Sequence, residues 1–118
     1  MNIKIIPSDI ELLNQQIEEI EKKLKDLEKI GQRYGEESLL TITIGKIISK
    51  QETGEIFFAD ANFTIPGKDI ICKVHGSSIE ETTNRLKDKL KNLMIKNKEL
   101  RKGRFRRLAR ALKNKLRL

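Results

Sequence analysis

The residues whose types and spacing suit chemistry are cationic, and they crowd the last third of the chain. Arg85, Lys87, Lys89, Lys91, Lys96, Lys98, Arg101 and Lys102 fall in one helical pattern, and Arg104, Arg106, Arg107, Arg110, Lys113, Lys115 and Arg117 follow it. At 100° per residue, Arg85, Lys89 and Lys96 take one flank of an apolar stripe, and Lys87, Lys91, Lys98 and Lys102 take the other. Long basic stems there cover the edge of a core while their heads stay in water. Set against only Asp88, Glu99, Glu80 and Glu81, these cations suit phosphates spaced along a groove better than they suit a merely solubilising face. Lys46, Lys50, Lys68 and Lys73 extend the basic surface onto strands, although an isolated strand lysine is by itself more often only solvent-facing. Phe58 is the one large aromatic expected on the outer sheet face. It can stack a base, but packing under a loop is the favoured role. No two aromatics pair across neighbouring strands, which argues against a reader of single-stranded RNA.

Catalysis has little support. Cys72 and His75 are the only residues of their kinds. Three apart on a strand, their side chains point to opposite faces, so they make no nucleophile–base pair. One Cys and one His leave no zinc spacing, and no Gly-rich phosphate loop occurs. The expectation is a non-enzyme with no metal and no cofactor.

Composition supports a polyanionic partner. The 118 residues carry a formal net charge of +8, distributed unevenly. Residues 1–60 carry −4, residues 61–118 carry +12, and residues 85–118 alone carry +13. Such polarity favours nucleic acid first and an anionic membrane surface second. A solvated face with a disordered basic tail is the plainer alternative. The length suits one domain with one core, and with aromatics at 4% that core must be largely Ile and Leu. No apolar run approaches the ~20 residues of a membrane span. Met1 leads straight into an apolar segment without a signal or transit pattern, and a single cysteine suits a reducing cytoplasm.

The elements that must position these cations are legible in the periodicities. Asn2–Ile6 reads as a short strand ended by Pro7. Ser8 and Glu11 have capping-box spacing, and Ile10, Leu13, Ile17, Ile20, Leu24 and Leu27 form a helix stripe with a stop at Gly31. A coiled-coil seam is the rival reading, but it spans under three heptads and strands follow it. Gln32–Ser38 reads as a polar loop. Leu40, Ile42 and Ile44 alternate in the next strand, and a hairpin turn covers 50–55 with Thr53-Gly54. Phe57, Ala59, Ala61, Phe63 and Ile65 then face one way and Phe58, Asp60, Asn62 and Thr64 the other. Pro66-Gly67 turns the chain into a strand alternating Ile70, Cys72 and Val74 with Ile71, Lys73 and His75. Ser78 and Glu81 repeat the capping-box spacing. Ile79, Leu86, Leu90, Leu93 and Leu100 form the second helix stripe, with Thr83 and Asn97 on the same side, out to about Lys102. Gly103 is read as its punctuation, followed by a tail that can form a short amphipathic helix when bound. The fold class is α+β: β-α-β-β-β-α, a four-stranded mixed sheet with two helices packed on one face. Domain bounds are 1–102 for the folded unit and 103–118 for the basic tail.

Residues 45–73 carry a further signal. Gly45-Lys46 closes a strand before a polar hairpin turn, the next strand carries Phe57-Phe58-Ala59-Asp60, and the one after opens with Pro66-Gly67-Lys68. In this, the chain resembles the ribosome hibernation-promoting factors, also called ribosome-associated translation inhibitors (short form, sigma-54 modulation protein-like), over residues 1 to about 100. Asp88-Lys89-Leu90 and Lys96-x-Lys98 match that family's second-helix pattern. The chain departs from it at Asn92 and Ile95, where arginines are usual, and at Glu80 and Thr83, where an aromatic and an aliphatic are common. The resemblance implies a cytoplasmic protein, monomeric off the ribosome, with no membrane partner and no small-molecule substrate. Its implied partner is the small ribosomal subunit, between head and body, over the messenger and transfer RNA sites. It would block initiation and protect idle ribosomes. Ribosomal RNA phosphates would meet the flanks of the second helix and strand residues such as Lys46. The ribosome-pairing second domain of the long form is not expected, which implies action on single ribosomes or pairing through a partner. Two other readings stand: a general double-stranded RNA binder, and a non-RNA protein that self-associates through Ile10 to Leu27. For the tail, RNA contact is favoured over no defined partner and over a membrane-surface helix.

Overall fold

Alternation of apolar and polar residues builds the sheet. In the computed structural model, which describes residues 1–35, 37–47, 56–65 and 67–116 (for 33, 98–106, 108 and 114–116 the backbone only), the strands are β1 (Asn2–Ser8), β2 (Leu39–Lys46), β3 (Phe57–Ile65) and β4 (Lys68–Gly76). They lie in the order β1-β2-β3-β4, parallel between β1 and β2 and antiparallel thereafter. Leu40, Ile42, Ile44, Ala59, Ala61, Phe63, Ile65, Ile70, Cys72 and Val74 are buried on one face. The expected hairpin turn at 50–55, Pro66 and Arg117 lie outside the described residues.

Helices cover that face, as expected for the fold class. The first helical run begins as α1 (Asn14–Leu24), tightens to a 3-10 turn at Lys25–Leu27, and continues through α2 (Glu28–Gly31) to a 3-10 turn at Gln32–Tyr34. Ile20, Leu24 and Leu27 are buried as predicted. The start and stop differ from the sequence reading. Pro7 does not end β1, because β1 is an edge strand, where a missing N–H is tolerated. Ser8 belongs to the strand, and Asp9 turns the chain at φ 56°, a conformation that short polar side chains tolerate. Leu13, 69% exposed, precedes the helix, and its backbone N–H donates to Gln16 Oε1 at 2.9 Å. Gly31 is helical at φ −67°. The run stops at Gly35, whose φ of 97° only glycine adopts readily.

The long helix α3 (Ile79–Leu116) packs Leu86, Leu90 and Met94 into the core, with Ile79 and Leu93 at its margin. Leu100 is among the residues described by backbone only. Thr82 and Thr83 are buried because their hydroxyls donate to the carbonyls of Ser78 at 2.6 Å and Ile79 at 2.7 Å. The predicted N-terminal cap is half right. The Glu81 N–H donates to Ser78 Oγ at 3.1 Å, but the Glu81 carboxylate accepts from Ser77, from its N–H at 3.2 Å and from its hydroxyl, not from Ser78. Those bonds hold the Glu81 carboxyl below its usual range. The stop expected near Lys102 is corrected: α3 runs unbroken through Gly103 to Leu116. A mid-helix glycine costs about 1 kcal/mol relative to alanine. The Arg, Leu, Ala and Lys residues around it propagate a helix already nucleated on the core.

Gly45 shows how closely the outer face is built. A Cβ there would sit 2.6 Å from the Ser8 carbonyl oxygen and 2.7 Å from Phe58 Cε1. Gly45→Ala must therefore open the β1–β2 pairing or displace the Phe58 ring. The expected destabilisation is about 1–3 kcal/mol, measured as a lowered urea midpoint with an unchanged m value.

Candidate nucleic-acid interface

α3 packs on β3 and β4 on one side and on α1 on the other. Its two cationic flanks thereby meet different surroundings. On the β4 side, Arg85 Nη1 donates to the His75 carbonyl at 2.8 Å, and Lys89 Nζ donates to the Lys73 carbonyl at 3.1 Å. Lys96 shares a shallow depression with Lys68 and Ile71. These side chains cover the free edge of β4, where unpaired strand groups would otherwise be exposed. Arg85 also pairs with Glu81 at 2.6 Å. Lys68, Lys73, Arg85, Lys89 and Lys96 together form one basic border along the edge strand, with Lys68, Lys73, Lys89 and Lys96 exposed.

On the α1 side the lysines are partly engaged. Lys87, half-buried, bonds to Asp26 Oδ2 at 2.6 Å. Lys23 approaches Glu80 at 3.5 Å. These two pairs straddle a groove floored by Ile20, Ile79 and Thr83, whose rim alternates in sign and so gives phosphate no preference. Lys91 is exposed nearby. The Lys87 hydrogen bond, then the Lys87 charge, with smaller help from Lys29 and Lys91, holds the Asp26 carboxyl below its usual range. A depressed carboxyl stabilises above its unfolded pKa, and that contribution is lost as pH falls through the lowered folded value. The link from Asp26, in the 3-10 turn after α1, to Lys87 of α3 is thus intact at neutral pH. Asp26→Asn would remove one negative charge and release Lys87 on this side of mixed sign. RNA affinity at physiological salt is expected to rise by less than about fivefold, through the long-range field alone, with little change in melting temperature because the Asp26 carboxylate is exposed. Fluorescence anisotropy with labelled RNA checks this.

Lys46 stands apart at the end of β2, exposed, with its ammonium 5.9 Å from the Phe57 ring centroid. The outer sheet face carries Phe58 opposite both Gly45 and His75. Lys73 Nζ lies 5.7 Å from the Phe58 centroid and 3.9 Å from Asp60 Oδ1. The latter is too long for a hydrogen bond, and among the described residues neither of the buried oxygens Asp60 Oδ1 and Asn62 Oδ1 has a hydrogen-bond partner. Cys72 is buried on the core face, its thiol pushed up by burial, and His75 is exposed on the other face. The two do not meet, as their spacing predicts.

Lys98, Arg101, Lys102, Arg104 and Arg106 are placed by backbone only, in α3, and Lys50 lies outside the described residues. Arg107 and Arg110 are exposed on the helical extension, as is Lys113. Among the described residues no group of His, Cys, Asp and Glu could hold a metal, and no described helix is long and apolar enough to cross a membrane.

The residue that ties α3 down carries no mark in the sequence periodicities. Tyr34, the only tyrosine, falls in the stretch read as a polar loop, yet it is buried. Its hydroxyl donates to the Met94 carbonyl at 2.8 Å and accepts from Asn97 Nδ2 at 3.2 Å. Its ring meets Phe63 edge-on at 5.4 Å. Met94, fully buried, is missed too. Neither residue type belongs to the Ile/Leu periodicity that marks the helix stripes.

No protein-family model and no curated protein matches the chain. Solved structures do match. A Thermus thermophilus Protein Y N-terminal domain superimposes with a TM-score of 0.61 at 22% identity, covering 80% of this chain and 96% of its own. The chain shares its fold. A ribosomal subunit interface protein from Coxiella burnetii superimposes with a TM-score of 0.67 at 23% identity, covering 84% of this chain and 99% of its own. The chain thus shares its fold with both proteins over most of its length.

Proposed function

We propose that this chain is a ribosome hibernation factor. It binds the small ribosomal subunit through ribosomal RNA phosphates, occupies the messenger and transfer RNA channel, and so silences initiation in stressed or stationary cells. It acts in the cytoplasm as a binding protein without catalysis or cofactor. The observation that carries this reading is the basic border of Lys68, Lys73, Arg85, Lys89 and Lys96, set on a fold shared with a ribosomal subunit interface protein. The border is linear and open to solvent, and it lies on a rigid helix–strand edge, as a phosphate-contacting surface requires. Lys87 held at Asp26, Lys23 held near Glu80 and the alternating rim between them make the α1 side the weaker candidate. Residues 103–118 add charge to the same end of the chain.

The test is co-sedimentation with purified small ribosomal subunits over a salt series, with an unrelated RNA duplex as competitor. Saturable one-to-one binding that survives the duplex supports the reading. Binding that the duplex abolishes makes the chain a general RNA binder, largely shape-reading. Binding that persists unchanged at high salt would instead point to a protein partner.

A further inference from the structure

Because α3 does not end at the domain, its cations share one helical frame. Asn97 is the last residue described as buried, and Arg107, Ala109, Arg110, Ala111, Leu112 and Lys113 are all exposed. Residues 109–113 exceed a full turn, so none of the described residues covers the extension on any side there. The molecule is 66 Å in its longest dimension against 30 and 18 Å in the others. The extension is a free-standing arm.

At 100° per residue, Arg107 lies in phase with Lys89, five whole turns earlier. Lys96 falls 20° from that line, Arg85 40° and Arg110 60°, all on the same side. Asn92 and Gly103 take intervening positions, and no carboxylate falls inside the sector. We infer that Arg85, Lys89, Lys96, Arg107 and Arg110 form one continuous cationic stripe, running about 38 Å from the β4 border onto the arm, and that it tracks a run of RNA phosphates. Resting on the RNA-binding reading above, this makes the arm a rigid, phased extension of the interface rather than a loose supply of charge. Rigidity matters here because a pre-ordered helix loses less conformational freedom on binding than a disordered tail does.

The test changes phase without changing charge. In the full chain, two alanines inserted after Gly103 turn the arm by about 200°, and four turn it by about 400°, within 40° of its original face. On small ribosomal subunits the two-residue insertion is expected to lose about tenfold or more in affinity, and the four-residue insertion about threefold or less. Arg107→Gln with Arg110→Gln should match the larger loss and reduce the magnitude of the log-log salt slope by about 2. Equal binding by the two insertion variants would overturn the stripe, and so would a double substitution without effect. If the unmodified chain fails to bind subunits, the hibernation reading fails. The same variants are then compared on a plain RNA hairpin, where their order judges the stripe alone.

Discussion

Neutralising the β4 border, with Lys73, Arg85, Lys89 and Lys96 all replaced by glutamine, is expected to weaken RNA binding by two to three orders of magnitude at physiological salt. Each cation that meets a phosphate releases condensed counterions, and removing one such pairing at about 0.15 M salt weakens binding roughly fivefold. Four removals compound. Position matters as much as charge. A control that replaces Lys4, Lys22, Lys25 and Lys29, all away from that border, removes the same formal charge. It should weaken binding by less than about fivefold, because those residues act only through the long-range field, which salt screens. Arg85 and Lys89 also cover carbonyls on the β4 edge, so both variants are checked by thermal melting. Equal weakening by the two quadruple variants would mean that net charge, not the border, drives binding.

The largest effect on stability is expected at Tyr34. Tyr34→Ala removes a buried ring from its edge-on contact with Phe63, and with it the hydroxyl that bonds the Met94 carbonyl and the Asn97 amide. Large-to-small aromatic truncations cost about 3–5 kcal/mol, a large share of the roughly 5–15 kcal/mol of a typical domain. Tyr34→Phe keeps the ring and loses only the hydroxyl, for about 1–2 kcal/mol. The pair separates packing from hydrogen bonding, read by urea unfolding. The site also links stability to function. Tyr34 grips α3 at Met94–Asn97, at the root of the arm. Even the Phe variant should therefore speed amide exchange near residue 97 more than in β2 and β3.

Why some of this is legible in the chain and some not is a question of which forces leave a mark in sequence. The sheet is legible because a half-buried strand must alternate, and Leu40-Thr41-Ile42-Thr43-Ile44 does so without a break. The packed faces of both helices are legible because Leu and Ile recur at three and four. Their ends are not. Ser8 and Glu11 have capping spacing, but pairing of β1 with β2 outweighs a cap, and the chain uses Asp9 and Gln16 instead. Gly31 and Gly103 look like stops, yet a helix tolerates an isolated glycine when its neighbours propagate it. Tyr34 is hidden because a lone aromatic in a polar stretch has no period, and its burial depends on partners 29 and 60 positions away. For the candidate site, the wheel puts Arg85, Lys89 and Lys96 on the flank opposite Lys87, as the structure does. Only the packing shows that the first flank borders β4 and that Lys87 on the other is engaged by Asp26. The phase shared with the arm needs the helix to continue past Gly103, where the sequence reading stops it.

In the proposed function this chain occupies the channel in which messenger and transfer RNA meet the small subunit. That occupancy is tested most directly by filling purified small subunits with the chain and measuring initiator transfer RNA retained on them. Transfer RNA should be lost in proportion to the chain bound, reaching full exclusion at one chain per subunit. Chain and initiator transfer RNA bound together on the same subunits at saturation would contradict it.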